Sequence, residues 1–230
     1  ALIRLMIVNR DVMQSMEGGA AIATAPLRRI LHWLNRNSPD GSRRNIAAHY
    51  DLGNDLFALM LDETMAYSCG VFEREDATLH EAQLAKFERI CRKLRLAPSD
   101  HLLEIGTGWG GFAIHAARRY GCRVTTTTIS REQHDWAKEK VAAAGLQDRV
   151  TLLLDDYRDL RGRYDKLVSI EMIEAVGARY LDTYTARCGR LLEPHGAMLL
   201  QAITIQDQRY EEALGSVDFI QRFIFPGSFI

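Results

Sequence analysis

From residue 100 onward, short apolar segments rich in β-branched residues alternate with helix-like segments, and this alternation strongly constrains the fold. The pattern predicts five strands, at 101–106, 122–129, 150–154, 164–170 and 197–203. It predicts intervening helices at 111–120, 130–145 and 180–192. Strands that alternate with helices form a parallel sheet with right-handed crossovers. The fold class is therefore α/β, with a Rossmann-like, mostly parallel sheet.

A glycine-rich turn joins the first predicted strand to the first of these helices. It reads Glu104-Ile-Gly106-Thr107-Gly108-Trp109-Gly110-Gly111. Glycines without side chains allow the backbone to approach a ligand closely. An acid two residues before the first glycine gives E-x-G-x-G, an order typical of S-adenosylmethionine sites and not of NAD sites. A purely structural glycine turn is the alternative.

Polar residues follow the second and third predicted strands, where they could reach a ligand lying on the turn. Thr128 and Gln133 occupy the place of the acid that such folds usually offer to ribose hydroxyls. Tyr157 and Arg158 lie in the charged segment 155–160, which faces the adenine in such folds. Strand propensity alone could explain Thr128, and a solvated surface loop could explain the charged segment. These alternatives remain open at this point.

Composition excludes several classes of protein. Twenty-nine Lys and Arg against thirty Asp and Glu leave a net charge of −1, so no global basic field for nucleic acid is present. The four cysteines form no C-x-x-C pair and the histidines form no H-E-x-x-H, so no metal site is expected. Reduced thiols indicate the cytoplasm. No apolar run is long enough to span a bilayer.

The chain divides into a helical N-terminal segment at 1–44 and a catalytic domain at 45–230. Arginines flank the second N-terminal helix, 26–34, and they form either a solvated face or a surface for anionic lipid head groups. A strongly amphipathic helix is predicted at 79–96, with Leu84, Phe87, Cys91 and Leu94 on its inner face. Both ends look cut from a longer chain, so we expect the domain to be truncated at its C-terminus.

Four motifs together resemble the cyclopropane-fatty-acyl-phospholipid synthase family, which includes the mycolic acid cyclopropane synthases. They are His49-Tyr-Asp-Leu-Gly-Asn54-Asp, Tyr67-Ser-Cys69-Gly, the glycine turn and Asp156-Tyr-Arg-Asp-Leu160. The resemblance implies a class I S-adenosylmethionine-dependent methyltransferase fold with a helical N-terminal cover. It also implies methyl transfer to the double bond of an unsaturated acyl chain in phospholipid. A bound bicarbonate then takes a proton, which gives a cyclopropane, or a methylene branch if the proton is lost elsewhere.

The same resemblance assigns residues to roles. Cys69, through its backbone N–H, and Glu174 would hold the bicarbonate. Gln201 stands where the family has a histidine ligand, and it can donate a hydrogen bond but cannot titrate. The cofactor would be contacted by Tyr67, Ser68, Glu104, Gly106, Thr107, Gly108, Trp109, Gly110, Thr128, Ile129, Gln133, Tyr157 and Arg158. We expect Trp109 to act mainly as a packing lid on the turn.

The resemblance also implies partners and a location. The partners would be unsaturated phospholipid acyl chains, with peripheral contact to the inner face of the membrane, and a second copy in a homodimer. Two alternatives keep the same scaffold: a methyltransferase of a small soluble substrate, and an S-adenosylmethionine-binding module without catalysis. The change to Gln201 is the one sequence feature that favours the second alternative.

Overall fold

The computed structural model describes residues 53–215, together with Val8 and Asn9. The expectations for the N-terminal helices, for His49 and Asp51 and for residues after 215 lie outside the described residues. Within residues 53–215, apart from three short 3₁₀ helices, the α-helices and strands are α1 Asn54–Met60, α2 Leu79–Leu94, β1 His101–Ile105, α3 Gly111–Tyr120, β2 Arg123–Thr127, α4 Arg131–Ala143, β3 Val150–Leu153, β4 Tyr164–Ile170, α5 Leu181–Leu191, β5 Leu192–Gln201 and α6 Tyr210–Gly215.

The five strands form one sheet in the order β3-β2-β1-β4-β5, and every neighbouring pair is parallel. The predicted α/β class with a parallel sheet is therefore confirmed. The pairing register places Ile105 opposite both Thr127 and Ser169, so three strands end at about the same level. Ile170 pairs with Gln201 at the end of β5. The carboxyl ends of these strands therefore form one continuous edge.

Strand β5 begins earlier than the sequence predicts. It follows α5 directly, and its pairing with β4 shifts register between Tyr164 and Lys166. Regular pairing resumes at Ala197, which is the predicted first residue of the strand. Pro194, which has no N–H to donate, falls in the irregular half that precedes it.

Two apolar cores cover the two faces of the sheet. One contains Phe87, Ile90, Cys91 and Leu94 of α2 together with residues of α3 and α4. The other packs α5 against the opposite face through residues that include Tyr184, Cys188 and Leu191. No helix in the part of the chain that the structure describes is long and apolar enough to cross a membrane.

The inner face of α2 differs from the prediction at three positions. Leu84 is exposed to 36%, whereas Gln83 and Lys86 are almost fully buried. The helix begins with a capping box, in which Thr78 and Glu81 each bond the backbone N–H of the other. Gln83 and Lys86 are buried because the segment 66–68 lies against that side of the helix and offers polar groups for both side chains to bond.

Two helical glycines provide a test of how tightly the glycine turn packs. A Cβ on Gly111, at the start of α3, would collide with the carbonyl oxygen of Thr64, whereas a Cβ on Gly189 in α5 would meet nothing within 4 Å. We expect Gly111→Ala to lower the free energy of unfolding by about 1–3 kcal/mol. The matched variant Gly189→Ala should raise it by about 0.5–1 kcal/mol. Urea unfolding of both variants measures the difference, and equal effects would contradict this account of the packing.

Candidate active site

A cavity of about 160 Å³ opens at the carboxyl edge of the sheet. Its wall combines the glycine turn, the ends of β2 and β4, the loop after β3 and the segment that precedes α2. All residues predicted to bind the cofactor line it, apart from Gly110: Tyr67, Ser68, Glu104, Gly106, Thr107, Gly108, Trp109, Thr128, Ile129, Gln133, Tyr157 and Arg158. Gly110 instead approaches α4, where a Cβ would lie 3.0 Å from the Cβ of Ala137.

The glycine turn exposes its backbone to the cavity. The N–H groups of Gly106 and Thr107 both donate to the carbonyl of Thr127, at 3.0 Å each. Gly106 and Gly108 have φ values of 102° and 52°, which side chains disfavour. A Cβ on Gly108 would meet nothing within 4 Å, so this position borders open space in the wall of the cavity. The residues present therefore fit a ligand that lies against bare backbone, as S-adenosylmethionine would.

Glu104 lies at the base of the cavity and is only 2% exposed. Its Oε2 accepts a hydrogen bond of 2.6 Å from the hydroxyl of Thr126, which is itself 2.7 Å from the hydroxyl of Thr107. Burial raises the pKa of the Glu104 carboxyl to about 8, against the opposing effect of the bond from Thr126. Burial therefore favours the protonated form of Glu104 in the ligand-free protein.

Thr128 and Gln133 are bonded to each other at the end of β2. The Thr128 hydroxyl donates to Oε1 of Gln133 at 2.9 Å and accepts from the N–H of Ser130 at 3.1 Å. Ser130 caps α4 by accepting the N–H of Gln133. Both side chains are buried, and the amide of Gln133 is held beside the cavity with N–H groups to donate.

The charged segment after β3 is largely buried and is not a solvated loop. Asp156 is 3% exposed, and Arg158 binds both of its carboxylate oxygens, at 2.8 and 3.0 Å. The Arg158 guanidinium lies over the rings of Tyr157 and Tyr180. This arrangement holds Tyr157 against the wall of the cavity.

Trp109 connects the glycine turn to α1. Its indole N–H donates to Oδ1 of Asn54 at 2.7 Å, and its ring packs on Phe57 with 4.9 Å between centroids. Phe57 also meets Tyr67 edge to face. Because Trp109 is 3% exposed and still lines the cavity, it packs as the expected lid on the turn.

Sequence reasoning missed the two polar residues of α2 that position the segment 66–68. Nε2 of Gln83 donates to the carbonyls of Ala66 and Ser68, and Nζ of Lys86 lies 2.5 Å from the Ser68 hydroxyl. Burial lowers the pKa of Lys86 to about 8, while the negative charge of Glu171 acts to raise it. Helical spacing does place 83 and 86 on the same face as Phe87 and Ile90, which is a signal that could have identified them.

Two of the three predicted catalytic residues, Cys69 and Gln201, are bonded to a residue that the sequence analysis did not select. Oε1 of Glu171 accepts the backbone N–H of Cys69 at 2.9 Å and the side-chain amide of Gln201 at 2.8 Å. The same amide lies 3.2 Å from the Cys69 carbonyl. Glu174 is held separately, because its Oε1 accepts the N–H of Ile203 at 2.6 Å. Burial raises the pKa of Glu174, and the nearby Glu171 charge adds to that shift.

Comparisons with known proteins agree with this architecture. A family model described as mycolic acid cyclopropane synthetase matches residues 37–230. The structure of mycolic acid cyclopropane synthase CmaA1 complexed with SAH and CTAB superimposes with a TM-score of 0.74 at 35% identity, covering 81% of this chain and 68% of that one. Coclaurine N-methyltransferase shares the fold, with a TM-score of 0.68 at 19% identity, covering 97% of this chain and 71% of that chain. The expected class I methyltransferase fold is thus confirmed.

Two of the curated relatives are bacterial enzymes. Tuberculostearic acid methyltransferase UfaA1 of Mycobacterium tuberculosis is 44% identical over 88% of this chain and 51% of its own length. Cyclopropane-fatty-acyl-phospholipid synthase of Escherichia coli is 46% identical over 77% of this chain and 44% of its own length. The chain therefore spans about half the length of the curated relatives it matches.

The buried acid of the glycine turn predicts a specific pH dependence of stability. Between pH 4.5 and about 8, folded Glu104 keeps a proton that the unfolded chain has lost. The free energy of unfolding should therefore fall as pH rises through this window, by up to about 1.4 kcal/mol per pH unit for this group. Glu104→Gln cannot titrate and should lack this contribution, so its stability relative to wild type should increase with pH.

Urea unfolding of the ligand-free protein near the two ends of that window measures this contribution. Glu139→Gln serves as the matched control, because it removes an exposed carboxylate from the outer face of α4. If the free energy of unfolding changes equally with pH in wild type and in Glu104→Gln, the buried acid is already ionised and the prediction is wrong.

Proposed function

Because this chain belongs to the mycolic acid cyclopropane synthetase family, we propose that it is an S-adenosylmethionine-dependent methyltransferase acting on the double bonds of unsaturated acyl chains in phospholipids. The product would be a cyclopropane or a methyl- or methylene-branched acyl group. The observation that carries the proposal is the cavity of bare glycine backbone and buried polar groups beside the cluster of Glu171, Cys69 and Gln201. The names of the two curated relatives also support it.

The cavity supplies a distinct contact for each part of the cofactor. When bound, S-adenosylmethionine supplies an electrophilic methyl group on a sulfonium. We assign the bare backbone of Gly106–Gly108 as the surface that the cofactor approaches closely, and the amide of Gln133 as the group that contacts its ribose. Tyr157, held by Arg158, would cover the adenine. Ser68, fixed by Lys86, borders the side of the cavity nearest the Glu171 cluster.

An alkene is a weak nucleophile, so its methylation requires a dry and ordered site. Apolar side chains line the cavity between the turn and β4, including Met65, Phe87, Phe112, Ile170 and Met172. They would exclude water from the reacting atoms. The buried bonds around Thr126, Asp156 and Ser68 hold the polar groups still, so that little reorganisation is needed when charge develops.

The segment after β5 suits contact with lipid. It exposes four large apolar side chains, Ile203, Ile205, Tyr210 and Leu214, and Leu200 near the end of β5 is exposed as well. Large apolar side chains exposed along one segment suit a surface that binds an apolar partner. We propose that this segment meets the acyl chain or the membrane surface, which would make membrane contact peripheral.

Two glycines with positive φ test the assignment of the cofactor cavity. Gly108 and Gly145 have φ values of 52° and 68°, and a Cβ on either would meet nothing within 4 Å. Only Gly108 lines the cavity. We expect Gly108→Ala to weaken S-adenosylmethionine binding about tenfold or more in calorimetry, because its methyl group enters the ligand's space. Gly145→Ala should lose a similar amount of stability with unchanged affinity, and a common effect on affinity would contradict the assignment.

A product assay tests the reaction itself. The protein is incubated with S-adenosylmethionine and vesicles of mono-unsaturated phospholipid, and the released fatty acids are analysed by mass spectrometry. We expect a gain equal to one CH₂ group, with chromatography against standards separating a ring from a branch. No gain, with cofactor binding intact, would refute the lipid reaction and favour a soluble substrate or a binding module without catalysis.

A further inference from the structure

We propose that the carboxylate of Glu171 is the proton acceptor of this reaction and occupies the place that bicarbonate would otherwise take. The enzyme would then work without added bicarbonate. This inference rests on the proposed methylation of an alkene, and it adds an acid–base residue that neither the motifs nor the comparisons assign.

The donors that would hold a bound anion are already bonded to Glu171. Its Oε1 accepts the backbone N–H of Cys69 at 2.9 Å and the amide of Gln201 at 2.8 Å. Within residues 53–215 no donor is bonded to its Oε2, so that oxygen keeps its lone pairs for a proton. A bicarbonate at the same donors would stand beside this carboxylate, and two such anions in contact are strongly unfavourable.

The backbone holds Glu171 in a conformation that is costly for a side chain. It directly follows β4 and has a φ of 47°, in the left-handed region, which costs roughly 1 kcal/mol or more for residues other than glycine. Its own N–H donates to the carbonyl of Gln201 at 2.8 Å, which continues the pairing of Ile170 with Gln201. Strain of this kind persists where the surrounding structure enforces it, and it aims the side chain at the Cys69 N–H.

The surrounding charge favours an anion at this point. The ammonium of Lys86 is only 1% exposed and interacts electrostatically with Glu171. The buried cation would therefore stabilise the carboxylate without bonding it, since its Nζ bonds the Ser68 hydroxyl. A carboxylate next to the reacting centre would in turn stabilise a cation that forms in the substrate.

The other carboxyl groups that line the cavity are less suitable. Glu104 lies on β1, which β4 separates from β5 and Gln201, and its Oε2 already accepts the Thr126 hydroxyl. Asp156 is bound by Arg158 through both oxygens, and Asp155 follows the same strand, β3. That strand lies at the opposite edge of the sheet from β5. Glu171, between β4 and β5, is the cavity-lining carboxylate that adjoins the predicted catalytic residues.

The proton transfer balances without another reactant. In methyl transfer the π electrons of the alkene form the new bond to the methyl carbon, and the electron pair of the broken C–S bond stays on sulfur. The acyl chain is left as a carbocation. To close a ring, a C–H bond of the transferred methyl group breaks and its electron pair forms the bond to the cationic carbon. To form a methylene branch, the hydrogen on the methylated carbon first shifts as hydride to the cationic carbon, and a C–H bond of the methyl group then breaks to form the double bond. In both cases the proton passes to Glu171. The resulting carboxylic acid returns the proton to water after the product leaves.

Replacing Glu171 by glycine provides a direct test. Glycine suits the positive φ, so Glu171→Gly should fold at least as well as wild type. It also frees the two donors and opens room for a small anion. Glu171→Gln is the matched control, because it fills the same space with a group that cannot accept the proton.

The first readout is anion binding, which does not depend on turnover. Titration with ¹³C-labelled bicarbonate or formate, followed by NMR line broadening, should show saturable binding to Glu171→Gly and none to wild type or Glu171→Gln. Equal binding by wild type and Glu171→Gly would overturn the proposal. This readout decides whether Glu171 fills the anion site even if the lipid reaction itself is refuted.

The second readout is the methylation rate in bicarbonate-free buffer. Wild type should be unaffected by removal of bicarbonate, whereas Glu171→Gly should lose activity by about 100-fold or more, as expected for loss of a general base. Bicarbonate or formate should restore most of the Glu171→Gly rate and should not restore Glu171→Gln. A bicarbonate requirement in wild type, or full activity of Glu171→Gly without an anion, would refute the role of Glu171.

Discussion

The parallel pairing of the strands is the constraint on which the rest of the site depends. Because all five strands run the same way, their carboxyl ends lie along one edge, and each end delivers its following residues to the same space. The glycine turn follows β1, Thr128 follows β2 and Glu171 follows β4. Gln201 ends β5 directly beside them. A shift of one residue in any ladder would send these side chains to the opposite face.

Many polar side chains of the site are hydrogen-bonded to one another, whereas Oε1 of Gln83 and Oε2 of Glu174 are buried without a partner among the described residues. Several polar side chains along its walls are almost fully buried, and burial of a polar group is costly unless it is bonded. Glu104 is bonded through Thr126, Asp156 through Arg158 and Lys86 through Ser68. These bonds hold the walls in place before any ligand arrives. The same rigidity explains why Glu171 can be held in a left-handed conformation.

The sequence predicted much of the sheet and the cofactor cavity, because both depend on local signals. Periodicity located all five strands within a few residues, apart from the irregular start of β5, and the glycine spacing identified the turn. The cavity lining included every predicted cofactor residue except Gly110. Gly110 differs because its missing side chain permits the approach of α4, a packing role that glycine spacing alone does not distinguish from ligand contact.

The sequence by itself determined the order of strands and helices, the glycine turn and the motifs that placed the chain beside its family. Only the tertiary structure revealed the cluster at Glu171, because its partners Cys69 and Gln201 lie far away along the chain. Gln201 reaches it through the register of β4 and β5, and Cys69 through the segment that precedes α2. Likewise, the sequence does not distinguish Lys86 from the other polar residues of its helix, and only the structure shows its bond to the Ser68 hydroxyl. Local patterns report what a segment favours, whereas a hydrogen bond between distant residues exists only once the sheet brings them together.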